Sequence, residues 1–251
     1  MSLLSRCRIV LVRTHFPGNL GSAARAMHNF GLTDLVLVDP LRFPDDLEAR
    51  RLAAHGVGIL DAARIVPDLG EALGDCVFTL ATSGLADGVV RQTFAGSPRE
   101  KFPHLLRAAA MGPVAIVFGP EPHGLSNAEV TRCHGLVRIP VNPEAPSLNL
   151  AQSVAVCCYE LFQAVAECEA AVPEQSIATF ADQERMFAHL AEAFESIGYL
   201  YGTKAGPLLH AMRHLIGRSM PTPQEVRMLH GLARQILWAS SQVPPRDVCA
   251  S

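Results

Sequence analysis

Five short apolar runs punctuate the first 140 residues, at 8–12, 35–38, 76–81, 114–118 and 136–139. Each is too short for a buried helix, and Val, Ile and Leu dominate, so each predicts a buried strand. The stretches between them have a different texture. Residues 18–31 have an Ala-rich interior and close on Gly31, which predicts a helix with a glycine stop. Residues 45–56, starting just after Pro44, and residues 97–111 and 127–134 also read as helices. Strands alternating with helices predict an α/β fold, a parallel sheet flanked by helices.

The pattern changes after residue 140. Pro140, Pro143 and Pro146 hold a short loop in extended conformations. Ser147 offers an N-cap for a helix running to about residue 171. No charged residue lies between Glu144 and Glu160, and Leu150, Val154, Leu161 and Val165 form one of two apolar stripes. A helix apolar on most sides is buried, either between layers or at a subunit interface. Beyond Pro173 no strand pattern remains. Helices are expected at 182–197, 206–216 and 222–240, the last opened by Thr222-Pro-Gln-Glu. The division expected from this lies near 170–178: an α/β domain over 1–172 and an all-helical C-terminal extension over 173–251.

Composition narrows the field. Of 251 residues, 49% are hydrophobic and 18% charged, which excludes a mostly disordered chain. No apolar stretch approaches about 18 residues, so no membrane-spanning helix is expected. The N-terminal apolar run is broken by Arg6, Arg8 and Arg13, unlike a secretory signal. Seven cysteines without a Cys-x-x-Cys pair predict reduced thiols and a cytoplasmic protein, and no Cys/His spacing suggests a metal site. Net charge is −3, but residues 1–42 carry +3 and residues 204–234 carry +4. Two basic zones in an acidic protein suit local phosphate contacts or ordinary solvated helix faces.

Ligands in parallel sheets gather at the carboxyl ends of strands. The loops there read Thr14-His-Phe-Pro-Gly-Asn-Leu-Gly, Thr82-Ser-Gly84, Gly119-Pro-Glu-Pro-His-Gly124 and Pro140 through Ser147-Leu-Asn149. A dinucleotide fingerprint, a P-loop and a Gly-x-Ser-x-Gly elbow are all missing, which weakens NAD, ATP and acyl-transfer readings. Asn19 is either a helix cap or a cleft group, and Arg25 either a surface residue or an anion grip. Glu121 is either a solvated loop acid or a constrained one. His15 and His123 are acid–base candidates, although a lone loop histidine is usually neither.

Three segments in order resemble the SPOUT RNA methyltransferases, in particular the SpoU (TrmH-type) group. They are Gly18-Asn19-Leu-Gly-Ser-Ala-Ala-Arg25, Val117-Phe-Gly119-Pro-Glu121-Pro-His-Gly124, and Ile139-Pro140 through Ser147-Leu148-Asn149. The tail, from Asp182-Gln-Glu-Arg-Met-Phe onward, resembles the helical extension of the bacterial TrmJ-type tRNA methyltransferases. The resemblance implies a C-terminal trefoil knot, a homodimer and S-adenosyl-L-methionine as cofactor. It implies methylation of a ribose 2′-hydroxyl in tRNA, at nucleotide 32 of the anticodon loop. Its implied cofactor residues are Thr82, Ser83, Gly84, Gly119, Gly124, Ile139, Ser147, Leu148 and Asn149. Its implied catalytic residues are Arg25, Asn19, Glu121, Ser147 and Asn149, with no metal. Pro120 and Arg13 depart from the usual pattern. An rRNA substrate and a noncatalytic RNA-binding module remain alternatives.

Overall fold

The computed structural model describes residues 3–84, 95–121, 123–168 and 176–242. Seven strands form one sheet: β1 (Cys7–Val12), β2 (Asp34–Val38), β3 (Arg64–Val66), β4 (Phe78–Thr82), β5 (Ala95–Gly96), β6 (Val114–Phe118) and β7 (Gly135–Val137). Their order is β3-β2-β1-β6-β4-β7-β5, and every pairing is parallel. β1 and β6 are buried along their whole length, as expected of strands covered on both faces.

Alternation along the strands splits the core in two. Ile9, Leu11, Leu35, Leu37, Ile116 and Phe118 face one side. There they meet α1 (Pro17–Asn29), α5 (Pro98–Ala109) and α7 (Leu150–Cys168). Val10, Val12, Val36, Ala115 and Val117 face the other, against α4 (Leu69–Leu73) and α6 (Asn127–Arg132). Between β2 and β3 the chain forms α2 (Leu47–Ala53), a short 3-10 turn and α3 (Val57–Asp61). Arg8, the charge inside the first apolar run, is buried but not orphaned. Its guanidinium bonds to Asp34 at 2.8 Å and to Asp75 at 2.6 Å, so burial costs no unpaired charge.

The expected strands and longer helices are present. β3, β5, α3 and α4 were not anticipated, being too short to carry a periodic pattern. Ser147 does not cap α7, which begins at Leu150. Asn149 does so instead, its side-chain oxygen accepting the Ala151 N–H at 2.9 Å. The expected end of α7 near residue 171 and the division at 172/173 fall outside the described residues.

The extension holds α8 (Phe180–Ser196), α9 (Ala205–Gly217) and α10 (Pro223–Ser241). α8 and α10 share a small core of their own, built on Met186, Phe187, Leu190, Val226 and Ala233. Its start is pinned to the sheet unit. The Phe180 N–H donates to the Cys76 carbonyl at 2.6 Å, and the Phe180 ring joins the core behind the sheet. Among the described residues no helix is long and apolar enough to cross a membrane.

Candidate active site

A cavity of about 460 Å³ opens at the carboxyl ends of β4, β6 and β7. Thr82, Ser83 and Gly84 line one wall, Gly119, Glu121 and Gly124 another, and Ile139, Ser147 and Leu148 a third. Eight of the nine residues expected to hold a cofactor therefore meet at one cavity. The ninth, Asn149, is not in its wall. Sequence reasoning missed the apolar lining from Phe118, Val141 and Leu150, whose only signal was adjacency to the motif loops.

Local geometry explains why these loops are shaped so. A Cβ on Gly119 would stand 2.2 Å from the Leu125 nitrogen and 2.4 Å from the Gly124 carbonyl carbon. Gly119 thus lets the 119–125 loop fold back on its own backbone. Gly124 has φ +65°, a left-handed conformation that favours glycine. A Cβ on Gly84 would lie 3.3 Å from the Pro146 carbonyl oxygen, so two walls touch there. Thr82 is occupied structurally, its hydroxyl donating to the Val117 carbonyl at 3.0 Å.

The lining suits a purine-bearing cofactor. Ile139 and Leu148 supply apolar surface, while the backbone groups of Ile139, Ser147 and Leu148 make no hydrogen bond among the described residues. Apolar walls with a few open backbone donors and acceptors can hold a flat heterocycle and read its edge.

Beside the cavity runs a polar chain joining the three motif loops. Glu121 accepts the His15 N–H at 3.0 Å, the Phe16 N–H at 3.4 Å and the Asn19 side-chain amide at 2.8 Å. Asn19 in turn accepts from the Asn149 side-chain amide at 2.9 Å. Asn19 is therefore not the cap of α1, a position that Phe16 takes. Glu121 does not pair with Arg25. Arg25 lies two turns along α1, exposed, outside the cavity wall and without a hydrogen bond or ion pair among the described residues. His123 lines the cavity, whereas His15 contributes its backbone. Arg13 closes β1 with φ 48° and pairs with Glu129 at 2.8 Å.

A parallel α/β sheet with a ligand cavity built from three loops at its carboxyl edge defines a class: a small-molecule-dependent α/β domain with a helical extension. Comparison with known proteins makes it specific. The model of the SpoU rRNA Methylase family matches residues 6–159, and that of the tRNA methyltransferase TrmJ C-terminal domain matches residues 181–245. The tRNA (cytidine/uridine-2′-O-)-methyltransferase TrmJ of Yersinia pestis (strain Pestoides F) is 38% identical over 240 residues, covering 93% of this chain and 92% of its own. That of Cronobacter sakazakii is 38% identical over 248 residues, covering 96% of this chain and 100% of its own. The crystal structure of TrmJ from Z. mobilis ZM4 superposes with TM-score 0.76 and 31% identity, covering 92% of this chain and 98% of its own. The SpoU methyltransferase AviRb from Streptomyces viridochromogenes, solved with the cofactor AdoMet, superposes with TM-score 0.51 at 25% identity, covering 63% of this chain and 60% of its own. This chain belongs to the SpoU methylase family, in its TrmJ branch.

Proposed function

We propose that the chain methylates a ribose 2′-hydroxyl of tRNA, at nucleotide 32 of the anticodon loop, with S-adenosyl-L-methionine as donor. The observation that carries this is the Glu121–Asn19–Asn149 chain set beside the cavity of about 460 Å³, which Glu121 lines. The relatives of known name act on tRNA at cytidine or uridine 2′-oxygens, and AviRb holds the same cofactor. When bound, that cofactor supplies an electrophilic methyl group, so the protein has to position a nucleophilic oxygen and manage its proton.

The residues divide that work. The loops at 82–84, 119–124 and 139–148 hold the donor. Glu121 fixes the start of α1 through two backbone amides and orients Asn19, which orients Asn149. Ser147, exposed on the cavity wall, and Asn149 are placed to contact the ribose. Arg25 carries a guanidinium, which is a poor base. Its role here is to bind a substrate phosphate and stabilise charge growing on the 2′-oxygen. Because Arg25 lies outside the wall of its own cavity, it serves that role in a homodimer, where a second copy brings the two together. Phe30, Tyr159 and Phe162 support such an association, packing ring against ring at the α1–α7 surface with Tyr159 and Phe162 exposed. The trefoil knot, the two-domain division near residue 172 and a cytoplasmic location belong to the same reading.

Mass spectrometry of tRNA nucleosides after incubation with protein and donor tests the reaction. A 2′-O-methylated pyrimidine at position 32 is expected, and its absence from tRNA with appearance in rRNA would redirect the substrate. Calorimetry with S-adenosylhomocysteine separates an enzyme from a noncatalytic RNA-binding module, which would show no heat of binding. Arg25→Ala and Arg25→Lys are expected to bind S-adenosylhomocysteine like the parent but to methylate roughly a hundredfold more slowly or worse in single turnover.

A further inference from the structure

Among the described residues α10 is covered on one side only. Val226 and Ala233 are buried against α8, with Leu229, Ile236 and Leu237 partly buried beside them. A solvent-facing side carries Arg227, Arg234 and Trp238, spaced by seven and then four residues. At 3.6 residues per turn they fall on one line along the helix, the two arginines about 10 Å apart. Trp238 is 60% exposed. Met228 and Leu232 are exposed too, on another side of the helix.

The electrostatics of this face are one-signed. Glu225 is occupied in a capping box with Thr222, and no acid follows it through Ser241. Of the acids of the neighbouring α8, Asp182 is engaged by Arg185 and Thr179 and Glu184 by Arg213, while Glu192 and Glu195 are exposed. Neither Arg227 nor Arg234 has a hydrogen bond or ion pair among the described residues. Two unpaired guanidinium groups in line with an exposed indole match a strand that offers phosphates and unstacked bases. A second copy of the chain fits poorly, since a two-fold contact on this face would set arginines against arginines with no acid to meet them.

We propose that this face of α10 binds the RNA substrate, with Arg227 and Arg234 on backbone phosphates and Trp238 stacked on an unpaired base. The inference rests on the tRNA reading above and assigns the part of the molecule that grips the RNA away from the cavity. Its arginines set the salt dependence of binding.

Trp238 is the single tryptophan of the chain, so its intrinsic fluorescence reports on this face directly. Titration of the full-length protein with an unmodified tRNA transcript is expected to quench it. Trp238→Ala should weaken tRNA binding about five- to a hundredfold, with Trp238→Phe restoring much of the loss. Arg227→Ala and Arg234→Ala should each lower the slope of log K against log salt by about one. Methylation at saturating tRNA should stay near the parent rate in all four. Unchanged fluorescence at saturating tRNA, or parent-like affinity in the variants, overturns the proposal. So does quenching on raising protein concentration without RNA, accompanied by faster sedimentation, which would assign the face to a second copy. A parent that methylates tRNA with Trp238 unquenched overturns this face alone. Quenching by tRNA without any methylated nucleoside supports the face and removes the enzymatic reading.

Discussion

Glu121 accepts hydrogen bonds from two backbone amides and one side-chain amide, all of them donors. A carboxylate suits that setting and a carboxamide does not, because one end of Gln would turn N–H toward N–H. Hydrogen bonds to a charged group contribute about 1.5–3 kcal/mol. Glu121→Gln is therefore expected to slow single-turnover methylation roughly ten- to a hundredfold while leaving S-adenosylhomocysteine affinity within a few-fold. Equal loss of donor affinity would place Glu121 in donor binding instead. His134 shows the opposite design, a base kept neutral. Its Nδ1 accepts the Thr79 N–H at 3.0 Å and its Nε2 faces the Gln183 side-chain oxygen at 2.9 Å. Burial holds its pKa down to about 4, with Arg213 adding to the fall and Gln183 opposing it. Burial and the nearby His210 hold His214 at about 4 too. The unfolded chain takes up these protons near pH 6.5, whereas the native state refuses them until near pH 4. Stability is thus full above about 6.5 and is lost as pH falls from there to about 4. For His134 alone the loss is on the order of 3 kcal/mol. Urea unfolding at pH 7 and pH 4.5 checks this, and His134→Gln should flatten the difference.

The helices and strands that the sequence foretold are those with a long enough period to show. α5 and α10 each carry an apolar stripe and a capping box at the start, Ser97–Glu100 and Thr222–Glu225, and α1 an Ala-rich interior with a glycine stop. β5 spans only Ala95–Gly96 and α4 only Leu69–Leu73, lengths at which periodicity carries no information. The site was legible where residues carry chemistry in the loops themselves, as at Gly119, Glu121 and Ser147. It was illegible where three-dimensional register decides. Six residues separate Asn19 from Arg25, which places them on different sides of α1, and only the folded helix shows which one meets Glu121. The glycines of the 119–125 loop give this scale its test. Gly119→Ala drives a Cβ into the Leu125 backbone and is expected to abolish S-adenosylhomocysteine binding by reshaping the loop. At Gly124 a Cβ meets nothing within 4 Å, so Gly124→Ala carries only the left-handed backbone strain of about 1 kcal/mol. Donor binding should survive it. Similar affinities in both variants would show that the loop does not form the pocket wall.

At the scale of the molecule, the extension is bolted to the sheet unit rather than strung from it. Ile177 packs in the core on one face of the sheet, and Phe180 in the core on the other. His214, on α9, faces the His134 carbonyl at 3.1 Å. One cooperative unfolding transition is expected for the whole chain, and Phe180→Ala should lower it by about 3–5 kcal/mol without splitting it. Two resolved calorimetric transitions would show that the units melt independently. The strand order has a consequence in time as well as space. β1 lies beside β6, with Cys7 level with Val114, so the centre of the sheet joins segments more than a hundred residues apart. Contacts between such distant parts of a chain form slowly. On the ribosome, the first strand must wait with one backbone edge unpaired until the sixth has left the exit tunnel. The third wall of the cavity, at 139–148, emerges later still. The nascent protein therefore spends most of its synthesis unable to hold a methyl donor, and that interval is when it depends most on chaperones.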